Sequence, residues 1–157
     1  QDEHAPARHV LAAVVADSLD DQIRTGTILD AETTAELLKN IFYPKAPLHD
    51  GAAIIRSGRI QAAGCMLPLS NNPNLSKELG MRHRAGIGMS EASDAVVVIV
   101  SEETGAISVA VNGMLKRHLT KDTFEKILRN ELIPEVKEEP TGAFRFLRRK
   151  EKDKADE

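Results

Sequence analysis

The 157-residue chain (17.2 kDa) carries 41% hydrophobic and 29% charged residues, the balance of one soluble globular domain large enough for a real core. A net charge of −3 and an aromatic content of 3% without tryptophan exclude a broad basic field and a base-stacking platform, so no nucleic acid partner is expected. Cys65 is the only cysteine; it allows no intrachain disulfide and no cysteine-based zinc cluster, and its apolar context suits a buried thiol in a reducing compartment.

Along the chain, residues 1–8 are polar and expected to be poorly ordered. Val10 to Ala16 reads as a buried strand or, alternatively, a short helix, far short of the roughly 20 apolar residues that span a bilayer. No signal peptide is visible, and a start at Gln1 without methionine suggests a fragment. Asp17 to Thr27 reads as a polar connection, and Asp30 as the N-cap of a helix carrying Ala35, Leu38, Ile41 and Phe42 on one face. Pro44 and Pro47 end that helix and stiffen the approach to Leu48-His49-Asp50-Gly51.

Ala52 to Arg56 and Arg59 to Leu67 predict a hairpin turning at Ser57-Gly58, followed by an Asn- and Pro-rich loop over Pro68 to Leu75. A helix is expected from near Arg82 to Ser90, with Gly86 and Gly88 permitting close packing. Ala95 to Val100 is the nearly continuous apolar run of a strand covered on both faces. Ile107 to Val111 and Met114 to Arg117 flank the hairpin turn Asn112-Gly113. Thr120 caps a last helix with Phe124, Ile127 and Leu128 on one face, continued by Leu132 and stopped by Pro134. Densely mixed charge follows Val136, and the end is expected to be disordered. The sum is an α/β fold: a single domain over residues 9–134 with a central mixed β-sheet flanked by helices, and a charged tail over residues 135–157.

Three segments carry chemistry. Asp50, in an Asp-Gly pair ahead of a strand, is either a turn residue or a carboxylate that holds a divalent cation and polarises a hydroxyl. An ordinary carboxylate is too weak a base to ionise a ribose hydroxyl unaided, whereas a bound Mg²⁺ or Mn²⁺ stabilises the developing oxyanion. Gly51 is expected to leave room for a ligand against the backbone. His49 is a loop histidine, a metal ligand or a phosphate donor, and it meets one ion together with Asp50 only if the loop is kinked.

Arg82-His83-Arg84 follows Gly80 and opens a helix, where free N–H groups favour anions. Helical residues two apart point about 200° from each other, so both arginines grip one phosphate only if Arg82 still lies in the loop. That arrangement is the expectation here. Ser101-Glu102-Glu103 closes the buried strand, either as a charged β-turn completed by Thr104-Gly105 or as a carboxylate site at a strand end, where α/β sheets bind ligands. Met66 and Leu67 are candidates for an apolar slot or for core. There is no Walker A run and no dinucleotide-binding glycine pattern.

Together, Leu48-His49-Asp50-Gly51-Ala52, Gly80-Met81-Arg82-His83-Arg84-Ala85 and Ser101-Glu102-Glu103-Thr104-Gly105 resemble the diadenylate cyclase domain, which makes cyclic di-AMP from ATP. The framing Leu37 to Phe42, Leu67-Pro68-Leu69-Ser70 and Ser76 to Gly80 match as well, and the resemblance, from about Ser18 to Pro134, is greatest to the membrane-anchored class. It implies a cytoplasmic domain of a parent anchored in a bacterial membrane, with no membrane contact by this fragment itself. It implies ATP as substrate, Mn²⁺ or Mg²⁺ as cofactor, and a face-to-face homodimer for catalysis.

By the same resemblance Asp50 activates the ribose 3′-hydroxyl through the metal, and Gly51 and Ala52 shape the nucleotide pocket. Arg82, His83 and Arg84 bind phosphates and stabilise charge; His49 and Glu103 join Asp50 at the metal. Ser101 and Glu102 lie near the triphosphate, and Met66 and Leu67 hold adenine. Two departures are visible. Met81 stands where family members often have a threonine able to cap the helix and contact the ligand, and the helix that commonly precedes the first strand is replaced by the polar residues 1–8. A nucleotide-binding regulatory domain that does not cyclise is the main alternative, and a structural interaction domain a second.

Overall fold

A computed structural model describes the backbone of residues 12–15 and, in full, residues 19–101 and 104–133. The polar segment 1–8, Asp17, Ser18, Glu102, Glu103, Pro134 and the tail 135–157 lie outside the described residues. The elements are β1 (Ala12–Val15), α1 (Asp20–Ile23), β2 (Thr27–Glu32), α2 (Ala35–Ile41), β3 (Ala52–Arg56), β4 (Arg59–Cys65), α3 (Met81–Ala92), β5 (Val96–Val100), β6 (Ile107–Val111), β7 (Met114–Leu119) and α4 (Lys121–Leu132). The strands form one sheet in the order β2-β4-β3-β1-β5-β6-β7. Only β1 and β3 run parallel, with Val14 opposite Ile54; every other neighbour is antiparallel, which makes the sheet mixed as expected.

Residues of alternate parity leave the sheet on opposite faces. On one face Ile54, Ala62, Val97, Ile99 and Ala110 pack with Leu19 and Ile23 from α1 and Ile87 and Met89 from α3. On the other, Ala53, Ile60 and Ala63 pack with Ile41 and Phe42 at the end of α2, while Val96, Val98 and Val109 meet Phe124, Ile127 and Leu128 of α4. Strand β5 is thus covered on both sides, as its unbroken Val/Ile run implies. Gly86 and Gly88 let α3 lie close: a Cβ at Gly86 would come within 2.5 Å of Ile99 Cδ1, and one at Gly88 would strike the Pro68–Ser70 backbone. Both hairpins turn where expected, with Ser57, Gly58, Asn112 and Gly113 all at positive φ.

Two expectations fail early in the chain. The stretch read as polar connection contains α1, with Leu19 and Ile23 buried, and leads into β2. Asp30 caps no helix: it sits in β2 at φ 47°, where Leu29 and Asp30 bulge between the pairs Ile28–Ala62 and Ala31–Ile60, and Arg59 Nε donates to its Oδ1 at 2.8 Å. The cap of α2 is Thr34, whose hydroxyl accepts from Leu37 N at 3.1 Å. Thr120 caps α4 in the same way, accepting from Thr123 N at 3.2 Å. Among the described residues no helix is long and apolar enough to cross a membrane.

Candidate active site

Antiparallel pairing brings the start of β3, the end of β4, the end of β5 and the start of β6 to one end of the sheet, since Ala52 faces Cys65 and Val100 faces Ile107. The three motifs therefore meet in space. Asp50 and Gly51 precede β3, Ser101 follows β5, and the N-terminus of α3 lies alongside. They line a cleft of two lobes that share Asp50, Met81 and Arg82.

The first lobe, about 740 Å³, is bounded by Gly26, Leu48, Gly51, Ala52, Gly64, Cys65, Met66, Leu67 and Leu69. Met66 and Leu67, left between slot and core by the sequence, both line this lobe, and Met66 and Met81, 71% and 67% exposed, stand at its mouth, an arrangement suited to a flat apolar ligand. Thr25 fixes the rim: its hydroxyl donates to Gln22 O at 2.6 Å and accepts from Met66 N at 2.8 Å. Burial pushes the Cys65 thiol up to about 11, so at neutral pH it is an inert wall.

Gly51 lies at φ +87°, and a Cβ there would come within 2.6 Å of Cys65 O. Its necessity is therefore the close approach of β3 to β4 as much as room for a ligand. Gly64, at φ +67°, lies in the bulge between the pairs Ile54–Ala62 and Ala52–Cys65.

The second lobe, about 540 Å³, is polar, lined by Glu78, Arg82, His83, Ser101, Thr104, Ser108, Arg117 and His118. Asp50 stands at the waist with its side chain 83% exposed. Gly51 N donates to Asp50 Oδ1 at 3.0 Å, and Arg82 Nη2 approaches the same oxygen at 3.6 Å. A carboxylate at this junction is held by its own turn on one side and by a guanidinium on the other, without being buried.

The arginine motif departs from expectation. Helix α3 starts at Met81, with Gly80 as an N-cap that has no side-chain bond, so Arg82 is already helical. Met81 is then the first helical residue and not the cap, and a threonine in its place would not act as N-cap. Arg82 and Arg84 accordingly diverge, as helical geometry demands. Arg84 turns away from both lobes and donates from Nε to Leu79 O at 3.1 Å and from Nη2 to Ser76 O at 3.0 Å. It braces the loop that delivers Gly80. His83 points into the polar lobe, only 9% exposed, and its pKa is lowered by burial and then by the charges of Arg117 and His118.

Ser101 closes a tight turn in which its amide donates to Ala106 O at 2.9 Å and Gly105 N to Ser101 O at 2.9 Å. Ser101 and Thr104, at the two sides of this turn, line the lobe. Glu102 and Glu103 are outside the described residues. His49 lines neither lobe; its Nδ1 contacts Ala46 O at 2.6 Å. That contact makes Nδ1 the protonated nitrogen and leaves Nε2 as a lone-pair donor, the tautomer found in metal-ligating histidines.

Among the described residues no group of three or more His, Cys, Asp and Glu could hold a metal. The Asp50 carboxylate, which lines both lobes, suits an ion that takes its remaining ligands from phosphate oxygens and water, the usual habit of Mg²⁺ with nucleotides.

Sequence reasoning missed Thr25 and Gly26, and it missed Ser108, Arg117 and His118. Nothing local reveals that β7 faces the cleft.

The family model described as DisA bacterial checkpoint controller nucleotide-binding matches residues 6–115. The chain is 53% identical over 113 residues to cyclic di-AMP synthase CdaA of Bacillus subtilis, covering 72% of this chain and 41% of that protein. It is 47% identical over 132 residues to a diadenylate cyclase of Listeria monocytogenes, covering 83% of this chain and 48% of that one. It thus spans about half the length of these relatives or less. Among solved structures, a double mutant of DacA from Staphylococcus aureus superposes with a TM-score of 0.78 at 46% identity, over 81% of this chain and 86% of that one. A Bacillus cereus structure described as a hypothetical membrane spanning protein gives 0.68 at 47% identity, over 72% and 56%.

Proposed function

The chain belongs to the diadenylate cyclase domain (DAC) family, and from that premise we propose that it condenses two ATP molecules into cyclic di-AMP with release of two pyrophosphates. The observation that carries the proposal is the waist of the cleft, where Asp50 and Arg82 lie between an apolar slot and a cationic lobe. A nucleotide laid across that waist puts adenine among Met66, Leu67 and Leu69, ribose beside Asp50, and the phosphates toward Arg82 and His83.

In each half-reaction a 3′-oxygen bonds to the α-phosphorus of the other ATP, the bond from that phosphorus to the β-bridging oxygen breaks, and the hydroxyl proton passes to solvent. Asp50 orients the 3′-hydroxyl toward the α-phosphorus, and Arg82 offsets charge on the phosphoryl oxygens. Arg84 holds the Ser76–Gly80 loop so that the α3 N-terminus stays fixed. A Mn²⁺ or Mg²⁺ held by His49 and Asp50, with Glu103 as a further ligand, would supply Lewis-acid stabilisation of the attacking and phosphoryl oxygens when bound.

One cleft of this size takes one ATP, so two copies face each other for the symmetric product. The likeness to CdaA and to a membrane-spanning protein supports a parent anchored in the bacterial membrane with this domain on the cytoplasmic side.

The test is ATP turnover with Mn²⁺ or Mg²⁺, products identified by mass spectrometry, for the parent and Asp50→Asn. Cyclic di-AMP should appear with the parent only, the variant falling at least about a hundredfold, and chelation should abolish it. Because Asp50 is exposed, its replacement should change stability by no more than about 0.5 kcal/mol. ATP binding without product from the parent would favour a regulatory nucleotide-binding domain instead.

A further inference from the structure

Strand β7 brings a pair of cations to the polar lobe that none of the three motifs contains. On a regular strand Arg117 and His118 would point to opposite faces. Here the pairing with β6 passes from Val109–Lys116 to Ile107–Leu119, so Ser108 alone opposes both residues. The bulge places His118 at φ 53°, and both residues line the lobe, with the buried Ser108 between the strands. Such a conformation is costly for a histidine and is kept where it aims a side chain.

Charge and hydrogen bonding agree. The side chains of Arg117 and His118 make no hydrogen bond or ion pair among the described residues. The ring of His83, more than nine-tenths buried and facing the same lobe, has no hydrogen-bond partner among them either. Glu78, in the turn before α3, is the other carboxylate besides Asp50 among the described lining residues. Arg82, His83, Arg117 and His118 gather in this lobe around the N-terminus of a 12-residue helix, an arrangement that suits an anionic ligand.

We propose that Arg117, aided by His118 and His83, binds the β- and γ-phosphates of ATP and so holds the pyrophosphate that leaves. This rests on the cyclase reading, which fixes the direction of the nucleotide: with adenine in the apolar lobe, the phosphates farthest from it enter the lobe that β7 closes. Arg117 is a point of specificity for triphosphate over monophosphate, because its guanidinium can pair bidentately with a terminal phosphate. The α-phosphate, held nearer Arg82, does not need it.

Calorimetric titration of the full chain with ATP, AMP and inorganic pyrophosphate, each with Mg²⁺, tests this in the parent, Arg117→Met, Arg117→Lys and His118→Asn. Asparagine tolerates the left-handed backbone of position 118. Arg117→Met should weaken ATP and pyrophosphate about tenfold or more while leaving AMP unchanged; Arg117→Lys should recover part of the loss, and His118→Asn should show a smaller loss of the same pattern. Equal losses for AMP and ATP, or no loss for either, would overturn the assignment. A parent that binds pyrophosphate through Arg117 but no adenine nucleotide would sink the cyclase reading and leave an anion site. A parent that binds none of the three would overturn both.

Discussion

His83 lines the polar lobe beside Arg117 and His118. Burial holds its pKa below the ordinary 6.5, and the positive charges of Arg117 and His118 add to the effect. The folded protein therefore prefers the neutral ring, whereas the unfolded chain takes up a proton below about 6.5. The stability associated with this group is fully present above that pH and declines as pH falls from there through the lower folded pKa. Urea midpoints measured between about pH 5 and 8 should show this decline, and His83→Gln should flatten it. A bound polyphosphate works in the opposite direction, favouring the imidazolium, so ligand should shift the ring's NMR titration upward. Asp50 and Arg82 needed only the chain to be noticed. The role of Arg84 did not follow from its neighbours, because its partners are the carbonyls of Ser76 and Leu79 and only the folded loop presents them.

Helix α3 is positioned by what it lacks. Gly86 faces Ile99 of β5, and Gly88 faces the Pro68–Ser70 backbone, where a Cβ would lie 2.6 Å from Ser70 N. Backbone cannot be displaced as cheaply as a side chain, so Gly88→Ala should cost about 1–3 kcal/mol by overpacking despite its better helix propensity. It should also lower activity by lifting the α3 N-terminus off the cleft. Thermal melts set beside turnover would check this; a variant of parental stability would contradict the packing argument. The two hairpins and α4 were legible because Ser57-Gly58, Asn112-Gly113 and Thr120 fix backbone geometry within a few residues. Strand β2 was hidden because it is an edge strand with Ile28 61% exposed and a bulge at Asp30, which blurs its alternation.

In the whole molecule, the sheet is a platform and all three motifs gather at one of its ends. Helices cover both faces, so the second cleft of the proposed mechanism would approach from that open end. Cyclisation across two clefts predicts that mixing excess Asp50→Asn with the parent suppresses cyclic di-AMP and accumulates a linear dinucleotide. Specific activity should also rise with protein concentration. Turnover independent of concentration and unaffected by the variant would rule out the shared arrangement.

The amino-acid sequence by itself determined the α/β class, the hairpin turns, the N-cap of α4 and the burial of β5 on both faces, and it singled out Asp50, Met66, Leu67, Arg82 and His83, which line the cleft. Those features depend on periodicity, turn conformation and residue chemistry within short stretches. Only the tertiary structure decided that β1 runs parallel to β3, that Arg84 braces a loop, and that the bulge opposite Ser108 turns Arg117 and His118 into the cleft. Each of these is fixed by register and contact between segments far apart in the chain, where a shift of one residue reverses the face a side chain takes.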